Sequence, residues 1–155
     1  MSEVVFRLAG VDDVETLALL RWESELERHP ERAPTVTRAQ YVAAYASEIR
    51  PEMESGVCKA WIAEADGEAV ACVQFISWVM PPTPERLNRR RGFVTSVYTR
   101  PAYRRQGISR RLMTMLLEYA RSIGTHRIIL WASDMGRPLY ESLGFTSSRA
   151  MELNF

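Results

Sequence analysis

The stretch YRRQGISRRLM, Tyr103 to Met113, sets a single glycine between basic and polar residues and the start of a helical run. A helix start presents backbone N–H groups that have no intrahelical partner, and its dipole favours negative charge. In the turn Gln106-Gly107-Ile108-Ser109, the missing side chain at Gly107 leaves an anion free to approach those amides. Arg104 and Arg105 add positive charge at the same rim. The chemistry available is that of a pyrophosphate cradle; the plainer alternative is a turn that does no more than start a helix. No Gly-Lys-Ser/Thr follows, so this is not a Walker loop, and the spacing is not a dinucleotide fingerprint.

Other residues could bear on a substrate. Trp22, Tyr41, Tyr45 and Trp78 could line a pocket that stacks on a ring or holds a cation, although such side chains more often belong to a core. Glu23 and Glu27 lie one turn apart and share a helix face. The run Arg89-Arg90-Arg91 reads as a solvated loop that could also meet an anion. Cys58 and Cys72 read as core residues, since no histidine stands at a telling spacing. With His29 and His126 the only histidines and no grouped cysteines, no metal site is expected.

These groups need a scaffold, and its elements are legible in turn. VVFRLAG alternates as an opening strand, and Asp12 or Asp13 can cap a helix through VETLALLRWESELER that His29-Pro30 breaks. Thr37 and Gln40 have capping-box spacing for a second helix carrying Tyr41, Tyr45 and Ile49, with Pro51 as its stop. VCKAWIAEA and EAVACVQFISWV form a hairpin about Asp66-Gly67. A tight turn there sets Trp61, not Cys58, opposite Cys72, so no disulfide is expected and a reducing compartment fits.

The basic, proline-rich loop MPPTPERLNRRR leads into a fourth strand, GFVTSVYT, which Pro101 closes. From Ile108 onward, Leu112, Met115, Leu116 and Tyr119 recur at helical spacing. HRIILWA is nearly all apolar, as for a strand buried on both faces, RPLYESL is a short helix that Gly144 ends, and FTSS with MELNF can make a last hairpin. The order is that of an α/β (α+β) fold with a mixed sheet, centred on the strand, turn, helix, strand unit from Gly92 to Ala132. A right-handed crossover sets that helix on one sheet face.

Bulk composition fits a single domain over 1–155. The chain has 46% hydrophobic and 25% charged residues, enough to bury a core without staples. Its 20 basic and 19 acidic side chains leave a net charge of +1, which argues for neither a nucleic-acid partner nor an anionic membrane. The first residues lack a signal-peptide layout and no apolar run approaches a membrane span, so a cytoplasmic protein is expected.

The segment VYTRPAYRRQGISRRLM resembles the acetyl-CoA motif of the GNAT superfamily of N-acetyltransferases, Arg/Gln-x-x-Gly-x-Gly/Ala, with Arg104, Gly107 and Ser109 at the three fixed positions. Ser109 departs from the pattern. Downstream, SDMGRPLYESLGF is similar to Asn-x-x-Ala-x-x-Leu-Tyr-x-x-x-Gly-Phe: Leu139, Tyr140, Gly144 and Phe145 match, while Ser133 and Gly136 stand for the usual Asn and Ala. The resemblance implies a mixed, mostly antiparallel twisted sheet flanked by helices, and acetyl-CoA as co-substrate. It implies that backbone N–H groups of Gln106, Gly107, Ile108, Ser109 and Arg110 bind the pyrophosphate beside Arg104 and Arg105, with Ser133 also near the cofactor. Main-chain groups of Val97 and Thr99 would pair with the pantetheine arm, the Val97 amide polarising the thioester carbonyl. Tyr140 would be the general acid for the departing thiolate.

The resemblance sets acceptor-binding walls on the first helices, where Trp22, Glu23, Glu27 and Tyr41 are the candidates. The strand acid of many relatives is replaced by Thr95 and Ser96, so the base is open between Glu23, Glu27 and His29. The expected activity is acetyl transfer to a primary amine of a small molecule or peptide. An inactive acyl-CoA-binding regulatory domain is the alternative, a nucleic-acid binder using the arginine clusters is a third reading, and a homodimer is left open.

Overall fold

The computed structural model describes residues 3–155. Its elements are β1 (Val4–Leu8), α1 (Val14–Arg28), α2 (Arg38–Glu54), β2 (Cys58–Ala65), β3 (Glu68–Val79), β4 (Arg90–Thr99), α3 (Ile108–Ser122), β5 (Arg127–Leu130) and α4 (Arg137–Ser142). The five strands form one sheet in chain order. The first four are antiparallel, and β5 joins β4 in parallel through the α3 crossover.

Both sheet faces are covered, which explains why β2 and β3 read as continuous apolar runs. With a side-chain period of two, Trp61, Ala63, Ala65, Val73 and Phe75 pack on one face against Leu112, Met113 and Leu116 of α3. Cys58, Ala60, Ile62 and Cys72 face the other way, onto Val14, Leu17 and Leu20 of α1 and Met53 of α2. An Arg7 guanidinium shared by Asp13 and Glu64, 2.8 and 2.6 Å away, ties β1 to the turn before α1 and to β2.

Several expectations need correction. Pro51 does not stop α2: it lies inside the helix, which continues to Glu54. One backbone bond is forfeited there, and the last turn is instead anchored by the buried Met53. Cys72 lies opposite Ile62, not Trp61, because an irregularity between Ala63 and Glu64 slips the hairpin by one residue. Both thiols are nonetheless free and buried, and burial raises Cys58 to about 11 and Cys72 to about 12.

The last hairpin does not form. Residues 145–155 carry no regular secondary structure, so β5 is an edge strand and only partly buried rather than covered on both faces. A cavity of about 1180 Å³ runs along that edge between β5 and Phe145–Ala150.

Candidate active site

The site follows from how β4 and β5 part. β5 ends at Leu130, opposite Val94, so Thr95–Thr99 continue with β3 on one side and no strand on the other. An extended chain entering that gap meets open main-chain groups, the requirement for strand addition.

The same stretch contains a bulge. Cys72 pairs with Tyr98 and Gln74 with Thr95, and between them Ser96 has a φ of 53°. That turns its carbonyl toward the Cys72 thiol, which donates to it at 3.3 Å. Since the two groups of a trans peptide point in opposite directions, the Val97 N–H is aimed away from Cys72. The bulge also presents both hydroxyls of the Thr95-Ser96 pair to one guanidinium: Arg21 of α1 donates to Thr95 Oγ1 at 3.2 Å and to Ser96 Oγ at 2.8 Å.

Beyond Thr99 the chain makes a short 3-10 turn at Pro101–Tyr103 and reaches Gly107, the N-cap of α3, at a φ of 76°. No side chain caps this helix start. A Cβ on Gly107 would find nothing within 4 Å, so the space above the first turn is open. Arg105 also adopts positive φ, 62°; the turn is therefore sharp on both sides of Gln106. Arg104 is held inward, its Nε donating to the Thr99 carbonyl at 2.9 Å and its Nη2 to Glu27 at 2.6 Å. Ser109 lies 2.8 Å from the Thr99 hydroxyl, and Arg110 donates to Ser142 of α4 at 2.7 Å.

Tyr140 is buried, its ring edge-on to Phe145 with centroids 6.0 Å apart. Among the described residues no protein group hydrogen-bonds its hydroxyl. Burial raises its pKa above the ordinary tyrosine value, opposed by the charge of Arg28. Gly136 allows this packing, since a Cβ there would stand 2.9 Å from the Tyr140 ring. Ser133 ties down the turn before α4, its hydroxyl accepting from the Gly136 N–H at 3.1 Å.

The expected acceptor residues divide. Glu23 and Glu27 share a face of α1, as expected, but that face is turned to the donor turn: Glu23 grips Arg100 at 2.8 and 2.9 Å while Glu27 holds Arg104 and accepts from the Tyr98 hydroxyl at 3.3 Å. Tyr41 lines a second cavity of about 450 Å³ between α1, α2 and the sheet, with Arg21, Tyr45, Glu48, Phe93 and Thr95 among its other walls. Trp22 backs it, 5.2 Å from the Tyr41 ring. Arg90 and Arg91 belong to β4 itself, and Arg89 is tied to the Pro81 carbonyl at 2.8 Å.

Sequence reasoning missed Arg21 and the Ser96 bulge. Leu17, Arg21 and Ser24 fall on one helical line, so an arginine interrupting that line was the signal available for the first. The bulge had none, because its cause is the pairing of two strands.

The strand pair thus opens beside a glycine-started helix, where the turn motif that resembles an acetyltransferase's lies. The chain belongs to the acetyltransferase (GNAT) family, whose model matches residues 14–145. It is similar to a glucosamine 6-phosphate N-acetyltransferase of Trypanosoma brucei brucei, 35% identical over 79 residues. That match covers 50% of this chain and spans about half, 54%, of the relative. Among solved structures, a predicted acetyltransferase with acetyl-CoA from Clostridium acetobutylicum has 25% identity and a TM-score of 0.86, covering 98% of this chain and 96% of that one. A GCN5-related N-acetyltransferase from Ralstonia eutropha JMP134 shares the fold at a TM-score of 0.81, with 23% identity and 99% of both chains covered.

Proposed function

We propose that this protein moves the acetyl group of acetyl-CoA directly to a primary amine, with Tyr140 as general acid. The observation that carries the reading is the open side of β4 from Thr95 to Thr99, leading straight into the uncapped start of α3. Acetyl-CoA supplies an activated acyl group as a thioester; the remaining steps fall to this chain's residues.

The N–H groups of Gln106 to Arg110 hold the pyrophosphate, and the open space over Gly107 fits that role. Arg104, already bound to Glu27, shapes the turn more than it contacts the anion. Arg105 supplies charge from a rim position, and Ser133 supports the site by fixing the turn before α4. Val97 and Thr99 pair with the pantetheine arm through main-chain groups. The Val97 N–H, aimed away from Cys72 by the Ser96 bulge, is the donor for charge developing on the carbonyl oxygen.

Tyr140 holds its proton throughout the neutral range, which suits it to give that proton to a thiolate. Its hydroxyl, unclaimed by protein groups among the described residues, is free to reach the leaving sulfur. The acceptor enters beside Tyr41 and Trp22, in the cavity that reaches Thr95. The relative named for glucosamine 6-phosphate supports a small-molecule acceptor.

The direct test is acetyl-CoA turnover against a panel of amines. Thiol release that depends on the amine supports the reading. Binding of acetyl-CoA without any release would identify an inactive regulatory domain instead.

A further inference from the structure

We infer that Arg21 is the acceptor's anion anchor, so that the amine acetylated here carries a carboxylate or a phosphate. This rests on the acetyltransferase reading above and names the substrate class for the same site.

Arg21 differs from Arg7, Arg100 and Arg104 in what it touches. Arg7, Arg100 and Arg104 each hold a carboxylate at 2.6 to 2.8 Å. Arg21 has neutral hydroxyls as its close partners, Thr95 Oγ1 and Ser96 Oγ, both reached from Nη1. Its carboxylate neighbour, Glu25, stands 3.6 Å from Nη2, beyond hydrogen-bond length, and lies 3.7 Å from Arg28 as well. The guanidinium thus makes no close carboxylate bond, its other neighbours being the Tyr41 hydroxyl and the more distant Glu25, while it lines the 450 Å³ cavity beside β4. A planar fork in a cavity is matched by a carboxylate or phosphate, which takes two parallel N–H bonds.

Its surroundings fix where the anion goes. Tyr41, Tyr45 and Phe93 supply apolar wall, while Glu48 gives the α2 side the opposite charge. An anionic group is repelled there and drawn to Arg21. Because Arg21 also holds Thr95 and Ser96, an acceptor docked on it lies next to the bulge that aims the Val97 N–H.

The test uses matched acceptor pairs that differ in one anionic group: alanine against alaninamide, glucosamine 6-phosphate against glucosamine, within a wider set built the same way. Wild-type protein should prefer the anionic member of the accepted pair by tenfold or more in kcat/KM, and the pair identifies which anion is used. Arg21→Gln should erase that preference through acceptor KM, and Arg21→Lys should restore part of it. If wild type turns over neutral amines as well as anionic ones, the anchor is wrong, and this comparison needs no variant. Equal losses on both members in Arg21→Gln would likewise reduce Arg21 to a prop for β4. No thiol release with any amine would instead sink the acetyltransferase reading itself.

Discussion

The hydroxyls of Thr99 and Ser109 lie 2.8 Å apart, joining the end of β4 to the first turn of α3. Strand and helix start are the two halves of the proposed donor site, so this bond sets the distance between the pantetheine and pyrophosphate regions. It also gives a role to the serine that departs from the family's Gly/Ala position.

Ser109→Ala should therefore cost about 1 kcal/mol of stability, the net value of one such bond. Small residues are the family's norm there, so acetyl-CoA affinity should change by no more than roughly threefold, less than 1 kcal/mol. Thermal melts and calorimetry on the same preparation check both. A collapse of affinity would mean that the Ser109 hydroxyl itself contacts the donor.

Gly107→Val addresses the cradle. At a φ of 76° a side chain strains the backbone although its Cβ meets nothing within 4 Å, so the variant should fold with about 1–2 kcal/mol less stability. Its branched side chain would stand over the first-turn amides, and acetyl-CoA affinity should fall by at least roughly tenfold, 1.4 kcal/mol. Unchanged affinity in a folded variant would remove the turn from donor binding.

Much of this arrangement was legible in the sequence, and the parts that were not share a cause. Gly107, the amphipathic run from Ile108 and the Thr37-Gln40 cap are set by local chemistry, and they stand where local chemistry puts them. Pro51 misled because its local preference to end a helix was outweighed by tertiary burial of Met53. The Cys72 register slipped through an irregularity that a two-residue turn does not encode. Glu23 and Glu27 were rightly set on one face, but what that face meets depends on Arg100 and Arg104, some 77 residues away.

Tyr140→Phe retains the ring and removes the proton donor. A positioned acid contributes roughly 10²–10⁴-fold, and kcat should drop by an amount in that range while acetyl-CoA KM barely moves. Burial raises the Tyr140 pKa above its ordinary value of 10.0, so the wild-type rate should show no alkaline fall from this group below about pH 10. Steady-state kinetics across pH check both. A variant with more than about half of wild-type kcat, far outside the range for losing an acid, would take Tyr140 out of the mechanism.

Acid stability has a specific contributor in Asp13, whose pKa is lowered chiefly by its bonds to Arg7. A depressed carboxylate stabilises the fold above its unfolded pKa of about 3.9, and that contribution fades as pH falls through the lower folded value. Arg7 is 37% exposed, so solvent screening limits the effect to about 1 kcal/mol. Asp13→Asn should lower the melting temperature at pH 7, and the gap to wild type should narrow as pH falls below the carboxylate's unfolded pKa of about 3.9. A gap independent of pH would show that packing, not charge, holds this corner.

The central claim is acetyl transfer to an amine, and thiol release paired with mass spectrometry of the acceptor tests it most directly. With acetyl-CoA and an accepted amine, each thiol released should be matched by one N-acetylated acceptor, and omitting the amine should reduce release to the hydrolytic background. Calorimetry that detects acetyl-CoA binding, alongside thiol release no faster than buffer across the whole amine panel, would contradict the account and leave a CoA-binding domain without catalysis.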